Sequence, residues 1–156
     1  MSAGEIPVRR ADPRDDADIA RLLHDFNTEF SDFTPGVAAL RENARELLEA
    51  GEMTVLLGGA GPDGLSLVRF RTSVWTGLPE AHLQELYVVP ALRGRGIGRA
   101  LLEATLDLAR AAGATWIDLG TSVADTAAVA LYESCGFTNL ESQPDGPSML
   151  FYEREL

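Results

Sequence analysis

The stretch LYVVPALRGRGIGRALL, residues 86–102, predicts a strand, a tight loop and a helix in succession. The residues before Pro90 are β-branched or aromatic, which favours a strand. After Gly96, apolar residues recur at helical spacing as far as Ala112. The alternating glycines of the loop let the backbone approach a ligand, and the following helix adds its positive dipole end. We therefore expect the loop to bind an anion such as a pyrophosphate.

The glycine spacing separates this loop from two other phosphate-binding motifs. The dinucleotide motif G-x-G-x-x-G needs glycine where the chain has Arg99 or Leu101, and G-x-x-x-x-G-K-[ST] has no match. The pattern that fits is R-G-x-G-I-G-x-A-L-L directly after an apolar strand ending in V-x-P. It resembles the acetyl-CoA-binding motif of the Gcn5-related N-acetyltransferase (GNAT) superfamily. The alternative is a plain strand-to-helix turn with solvated arginines.

The resemblance implies that acetyl-CoA is the cofactor and that the matching loop residues bind it. It also implies that a backbone N–H near Val88 stabilises the oxyanion formed from the thioester carbonyl. The cofactor-binding residues in this part of the chain are Tyr87, Val88, Arg93, Gly94, Arg95, Gly96, Ile97, Gly98, Arg99 and Ala100.

A second segment, residues 128–137, matches the family pattern A-x-x-L-Y-x-x-x-G-F. Its Tyr132 is similar to the family's general acid, which protonates the departing CoA thiolate; the alternative is a tyrosine that only packs. Asp125 stands where the family usually has an asparagine that contacts the pantetheine arm. Aspartate accepts a hydrogen bond but does not donate one at neutral pH, so Asp125 either keeps part of this contact or only caps the helix.

Two residues of the strand before the loop are candidates for the base. An amine arrives as an ammonium ion, so a base or a water chain must remove a proton before attack. Glu85 is a carboxylate whose pKa partial burial would raise, and His82 is a histidine, the residue type whose unperturbed pKa lies near neutrality. Strict strand alternation puts them on opposite faces, but family members carry a bulge on this strand. We rank Glu85 slightly ahead of His82; either residue could be structural, with ordered water as the base.

The segment 27–35 combines acidic and aromatic residues between two predicted helices, which suits the wall of a pocket for a cationic substrate. A hydrophilic connector with two buried aromatics explains the same pattern. A tryptophan in a later connector could border such a pocket. The substrate-binding candidates are Glu29, Phe30, Asp32, Phe33 and Trp75.

Along the chain, the patterns predict strand, two helices, three strands, helix, strand, helix and two strands. The last two strands are 137–141 and 149–153. The prediction is an α/β (α+β) fold, a mixed and mostly antiparallel sheet of about seven strands with helices on both faces. This order is that of the acyl-CoA N-acyltransferase-like fold, so the resemblance covers nearly the whole chain as one GNAT-like domain, 1–156. The motifs that make the resemblance specific lie between about residues 82 and 137.

Composition limits the possible partners. A net charge of −11 disfavours nucleic acid and anionic membranes. No run of about 18 apolar residues and no signal-peptide core occur, so we expect a cytoplasmic protein. One cysteine, Cys135, and two histidines make a conventional metal site improbable, and we expect no metal. A nucleophilic Cys135 is disfavoured because no histidine lies near it in sequence.

The sequence thus predicts an acetyl-CoA-dependent N-acetyltransferase that uses direct transfer in a ternary complex. The expected acceptor is a small cationic amine such as a polyamine or an aminoglycoside, and a homodimer is possible. One alternative is acetylation of protein or peptide N-termini or lysines. Another is a catalytically silent acyl-CoA-binding regulatory module.

Overall fold

The computed structural model describes residues 4–142 and 144–156. Contacts divide the chain into two compact units, residues 1–119 and 120–156. The first unit contains the sheet and three helices, and the second contains one helix. The expectation of one domain over 1–156 stays a prediction. No helix in the described part of the chain is long and apolar enough to cross a membrane.

The first unit is built on a five-stranded sheet of order β1-β2-β3-β4-β5. The first four strands pair antiparallel, and β5 pairs parallel to β4 through only two residue pairs. The connection from β4 to β5 passes through a helix, as a parallel pair requires. The strands are β1 Val8–Arg10, β2 Thr54–Gly58, β3 Gly64–Thr72, β4 Pro79–Val88 and β5 Ile117–Asp118.

Helices cover both faces of this sheet, as predicted. The first unit contains α1 Asp16–Glu29, α2 Val37–Glu49 and α3 Ile97–Ala111. On one face, Ile19 and Leu22 of α1 and Ala44 of α2 pack in one cluster with Val55 and Leu57 of the sheet. On the other face, Ile97 and Leu101 of α3 pack against Leu56. Alternate residues of the central strands therefore supply two separate cores.

The entry to α1 explains several acidic residues near the N terminus. Asp12 caps a short 3-10 turn, Pro13–Asp15, and Asp15 bonds back to the Asp12 N–H in a capping box. Asp16 is buried and accepts from Arg41 Nε at 3.0 Å and Arg45 Nε at 2.9 Å. This buried carboxylate ties α1 to α2.

Strand β4 contains a β-bulge. Glu85 pairs with Leu67 of β3, whereas Leu83 pairs with Val68, so Gln84 is the extra residue. His82 pairs with Arg69, which lies two residues beyond Leu67 and on the same face of β3. The bulge therefore brings Glu85 and His82 onto one face, the face covered by α1 and α2.

The second unit corrects the predicted strand count from seven to five. Its helix α4 runs over Thr126–Ser134. Segments 137–141 and 149–153, predicted as strands, are not strands, and the isolated antiparallel bridge in this region joins Leu140 to Ser148, just before the second segment. Pro144 and Pro147 have no N–H to continue a ladder. Residues 150–152 are also largely exposed, so no buried face holds this segment as a strand.

Candidate active site

The loop between β4 and α3 has the backbone geometry of an anion cradle. Gly94 and Gly96 have φ of 76° and 89°, a left-handed conformation that a side chain disfavours. Gly96 is also the N-cap of α3, and among the described residues no side chain caps this N terminus. The first N–H groups of α3 and the positive dipole end are therefore available to a bound anion.

The three arginines of this loop have different environments. Arg93 donates through Nη1 and Nη2 to Glu29 of α1 at 2.9 and 2.6 Å, and through Nε to the Val88 carbonyl oxygen at 3.0 Å. Arg95 and Arg99 are exposed, and Arg99 lies 3.9 Å from Glu103. Arg93 thus fixes the loop against α1, and Arg95 and Arg99 add positive charge at the exposed surface. A pyrophosphate fits this donor set.

Tyr87 lies beneath the loop and forms part of its support. Its ring is buried, lies 5.0 Å from the ring of Phe26, and carries the Arg93 guanidinium 5.6 Å above its centroid. Burial and the nearby Glu29 carboxylate raise the pKa of Tyr87. The Tyr87 phenol is therefore neutral at physiological pH.

Glu85 borders the space between the sheet and the α1–α2 layer, and His82 lies on the same face of β4. A cavity of about 240 Å³ opens beside Glu85. Burial raises the pKa of the Glu85 carboxyl, Asp32 raises it further, and His82 opposes the shift. The cavity combines apolar walls with three amide side chains, one carboxylate and one guanidinium. It is lined by Leu23, Asn27, Leu40, Asn43, Ala44, Leu47, Met53, Leu67, Arg69, Gln84 and Glu85.

His82 has a partner on β5. Its Nδ1 lies 2.6 Å from Asp118 Oδ1, and the two residues are register partners in the parallel pair. The other carboxylate oxygen, Asp118 Oδ2, accepts from Arg71 Nη2 at 3.0 Å, and Arg71 Nε donates to Glu80 at 3.0 Å. His82 thus stands at the end of a chain of four hydrogen-bonded residues, which continues through Asp118 and Arg71 to Glu80.

The predicted acceptor residues are spread over different environments. Glu29 is held by Arg93, while Phe30 is half exposed and packs edge-on against Phe26 at 5.3 Å. Asp32 is exposed but close enough to Glu85 to raise its pKa. Phe33 and Trp75 expose 83% and 92% of their surface. Of these five, only Asp32 is tied electrostatically to the cavity residue Glu85.

The second unit carries the other two motif residues. Asp125 Oδ1 accepts from the Ala128 N–H at 3.1 Å, so it caps α4. The Tyr132 ring packs edge-on against Phe137 at a centroid distance of 5.9 Å. The cap uses one oxygen of Asp125 for a structural bond, and the pantetheine contact stays a prediction.

Comparison with known proteins identifies the family. The chain matches the model of the acetyltransferase (GNAT) family over residues 19–137. The chain belongs to the GNAT family. A crystal structure from Arthrobacter sp. FB24, described as an acetyltransferase, has 44% sequence identity to this GNAT chain and a TM-score of 0.89. That match covers 100% of this chain and 99% of the other.

Curated GNAT relatives differ in the acceptor that they are named for. The aminoglycoside N(6')-acetyltransferase type 1 of Stenotrophomonas maltophilia is 31% identical over 146 residues, 90% of this chain and 92% of that protein. The mycothiol acetyltransferase of Beutenbergia cavernae is 42% identical over 69 residues, 42% of this chain and 23% of that protein. The chain spans about a quarter of the length of the mycothiol acetyltransferases that it matches.

Sequence reasoning about this GNAT chain missed several residues around Glu85 and His82. Asp118 and Arg71 contact the base candidate or its partner, and Asn27 and Asn43 line the cavity. An acidic residue between the apolar Ile117 and Leu119, namely Asp118, was a usable signal. Asn27 and Asn43 gave no such signal, because asparagines on helix surfaces are common. Among the described residues, no group of three potential ligands could hold a metal ion.

Proposed function

We propose that this chain is an acetyl-CoA-dependent N-acetyltransferase that transfers an acetyl group to the primary amine of a small cationic acceptor. The observation that carries the proposal is the left-handed Gly94 and Gly96 pair, which leads into the N terminus of α3, where no side chain of the described residues forms a cap. This geometry binds a pyrophosphate through backbone N–H groups. Family membership supports acetyl-CoA as its source.

The donor half of the proposed site uses the loop residues. Gly94, Gly96 and the first turn of α3 would hold the pyrophosphate, and Arg95 and Arg99 would balance its charge. When bound, acetyl-CoA supplies an activated acetyl thioester. A backbone N–H near Val88 would stabilise the oxyanion. The protonation of the thiolate by Tyr132 is carried over from the family motif alone.

The acceptor half uses the cavity beside Glu85. A carboxylate in a partly buried position attracts an ammonium group strongly, because few waters compete with it. The amides of Asn27, Asn43 and Gln84 offer donors and acceptors to hydroxyl or further amino groups of the same acceptor. The likeness to an aminoglycoside acetyltransferase supports an amine of this class.

The residues of β4 then prepare the amine for attack. The ammonium group loses a proton to Glu85, His82 or a water held between them, which frees the nitrogen lone pair. The freed lone pair would attack the carbonyl carbon of the thioester and the CoA thiolate would then leave, with no acyl-enzyme. Direct transfer in a ternary complex follows. A cytoplasmic location and a homodimer stay predictions.

Thermal unfolding with acetyl-CoA tests the donor half, with NAD and ATP as controls. A ligand at about 100 times its Kd stabilises the folded protein by about 2.7 kcal/mol, which raises Tm by several degrees. Stabilisation by acetyl-CoA alone supports the loop assignment. Equal or absent shifts for all three ligands contradict it.

Thiol release in the presence of acetyl-CoA tests the acceptor half. A polyamine, an aminoglycoside and a lysine-containing peptide form the first panel. We expect turnover with the polyamine or the aminoglycoside. Turnover confined to the peptide identifies a protein acetyltransferase, and stabilisation by acetyl-CoA without turnover of any amine identifies a silent acyl-CoA-binding module.

A further inference from the structure

The His82–Asp118 contact lies where β4 and β5 stop pairing. The two strands share only the pairs Ala81–Ile117 and His82–Asp118. His82 is the last residue of β4 that pairs with β5, and Glu85 follows it on the same face after the bulge. A short hydrogen bond of 2.6 Å at this point fixes the imidazole ring on the side of the cavity residue.

Asp118 is itself held in place by the hydrogen bonds that link it to Arg71 and Arg71 to Glu80. Its Oδ2 is bonded to Arg71, which Glu80 holds from the other side. Asp118 therefore presents Oδ1 to His82 in one orientation. An ionised carboxylate only accepts hydrogen bonds, so the proton of the contact lies on His82 Nδ1.

This arrangement has a chemical consequence for the ring. When Nδ1 carries the proton of the neutral imidazole, Nε2 keeps its lone pair and is the basic nitrogen. The second oxygen of Asp118 is bonded to Arg71, so the carboxylate directs the tautomer of His82 through Oδ1 alone. The other charged groups near the ring are Arg69, its register partner on β3, and Glu85.

We propose that Asp118 is a positioning residue that keeps His82 in the Nδ1–H tautomer, so that His82 Nε2 accepts the proton of the acceptor's ammonium group. The N–H bond of the ammonium breaks and an Nε2–H bond forms, which leaves a neutral amine and an imidazolium bonded to Asp118. Because the His82 side chain is 37% exposed, the proton then passes to solvent. Glu85 holds the ammonium group by charge in this scheme. The inference rests on the proposed function.

Nitrogen-detected NMR of ¹⁵N-histidine-labelled protein tests the tautomer directly. The chain has only two histidines, and His24→Gln assigns the His82 signals. We expect the Nδ1–H form for neutral His82 in the wild type. In Asp118→Asn, the amide can donate to Nδ1, so we expect the Nε2–H form to increase. A wild-type Nε2–H tautomer, or the same tautomer in both proteins, would overturn the positioning role.

Steady-state kinetics test the proton transfer. In Asp118→Asn we expect kcat to fall about tenfold or more, with the KM of the amine within about twofold. In His82→Gln we expect kcat to fall about 100-fold and the acidic limb of the kcat profile to disappear. The control is Asp107→Asn, which also removes a carboxylate from an ion pair with an arginine but on the exposed face of α3.

Two kinetic results would overturn the proposed proton transfer to His82. One is an acidic limb that stays unchanged in His82→Gln, which would assign the base to Glu85 or water. The other is a loss of kcat in Asp118→Asn that only follows its loss of Tm, which would make the contact a structural link between β4 and β5. A wild type that binds acetyl-CoA but acetylates no amine refutes the proposed function and the base role together. The NMR result then still decides the positioning role.

Discussion

At the scale of single residues, Glu85 lowers the stability of the folded protein when it is ionised, and the same carboxylate serves the proposed site. Its carboxyl lies beside a cavity between the sheet and the α1–α2 layer, where water is partly excluded. Burial therefore raises its pKa, and ionised Glu85 destabilises the folded state relative to the unfolded chain. Such a penalty is typical of residues kept for chemistry.

Glu85→Gln tests this penalty. Because the folded-state pKa is raised, the stability of the wild type falls as pH rises from the unfolded value of about 4.3 through the folded value. We expect Glu85→Gln to have a higher Tm than the wild type at pH 8 and no such gain at pH 4. Acetyl transfer should fall in the same variant. The control is Glu42→Gln, on the exposed face of α2, and an equal gain there would contradict the explanation.

The sequence indicated candidate residues of the site but not their partners. Glu85 and His82 stood out because a carboxylate and an imidazole on a mainly apolar strand are unusual. Their common face depends on a bulge, and a bulge is decided by how β3 pairs with β4. Glu29 was assigned to the acceptor from its neighbours in sequence. Its bidentate pair with Arg93 joins residues 64 positions apart, which sequence spacing does not reveal.

At the scale of elements, alanine substitutions in the glycine loop can distinguish the cost of backbone strain from the loss of ligand binding. Alanine at a left-handed position costs about 1–2 kcal/mol. A Cβ at Gly94 meets no atom within 4 Å, and the same holds at Gly77 in the β3–β4 connection, where φ is 69°. Gly77→Ala is therefore a matched control for Gly94→Ala.

We expect both alanine variants to lose similar stability in thermal unfolding. Only Gly94→Ala should bind acetyl-CoA more weakly, by several-fold in titration calorimetry, because its methyl group occupies the approach to the pyrophosphate. Equal acetyl-CoA affinity in the two variants would contradict a cradle at this loop.

A second prediction at this scale concerns the ion pairs of the buried Asp16, which link α1 to α2. Hydrogen bonds from Arg45 and Arg41 lower the pKa of the buried Asp16 carboxyl. A carboxyl with a lowered folded-state pKa stabilises the fold above its unfolded pKa of about 3.9, and this contribution is lost as pH falls through the folded value. Asp16→Asn should therefore lower Tm at pH 7, and the deficit should shrink below about pH 4.

The control for Asp16→Asn lies one half-turn along the same helix. Asp18 forms a 3.4 Å pair with Arg21, and its side chain is 42% exposed, so it contributes little. Asp18→Asn should leave Tm nearly unchanged at both pH values. A pH-independent deficit in Asp16→Asn would show that packing, not charge, links the two helices.

At the scale of the whole molecule, the net charge of −11 favours encounter with cationic acceptors. Salt screens this attraction, since the Debye length falls from about 10 Å at 0.1 M to about 3 Å at 1 M. We expect the KM of a polyamine to rise several-fold over that range. An acceptor with a single ammonium group should show a smaller rise, and equal rises for both would exclude steering by the overall charge.

The order of elements was predictable because each helix and most strands have a clear apolar period and a glycine or proline at an end. The parallel pairing of β4 and β5 follows from the helix between them. The prediction of two strands in the second unit was wrong, because alternation of side chains does not supply a partner strand. Segment 149–153 has the composition of a strand but forms no ladder, and the one isolated bridge nearby is made by Ser148.

The bulge at Gln84 also affects how this chain is aligned with others. Counting back from the glycine loop places residues correctly on the two faces only as far as Glu85. Before that point, a relative without the extra residue is out of phase by one position, so an ungapped alignment equates an inward residue with an outward one. Transfer of residue roles to a homologue that lacks the bulge therefore requires a one-residue gap in this strand, whereas a homologue that shares the bulge aligns without one.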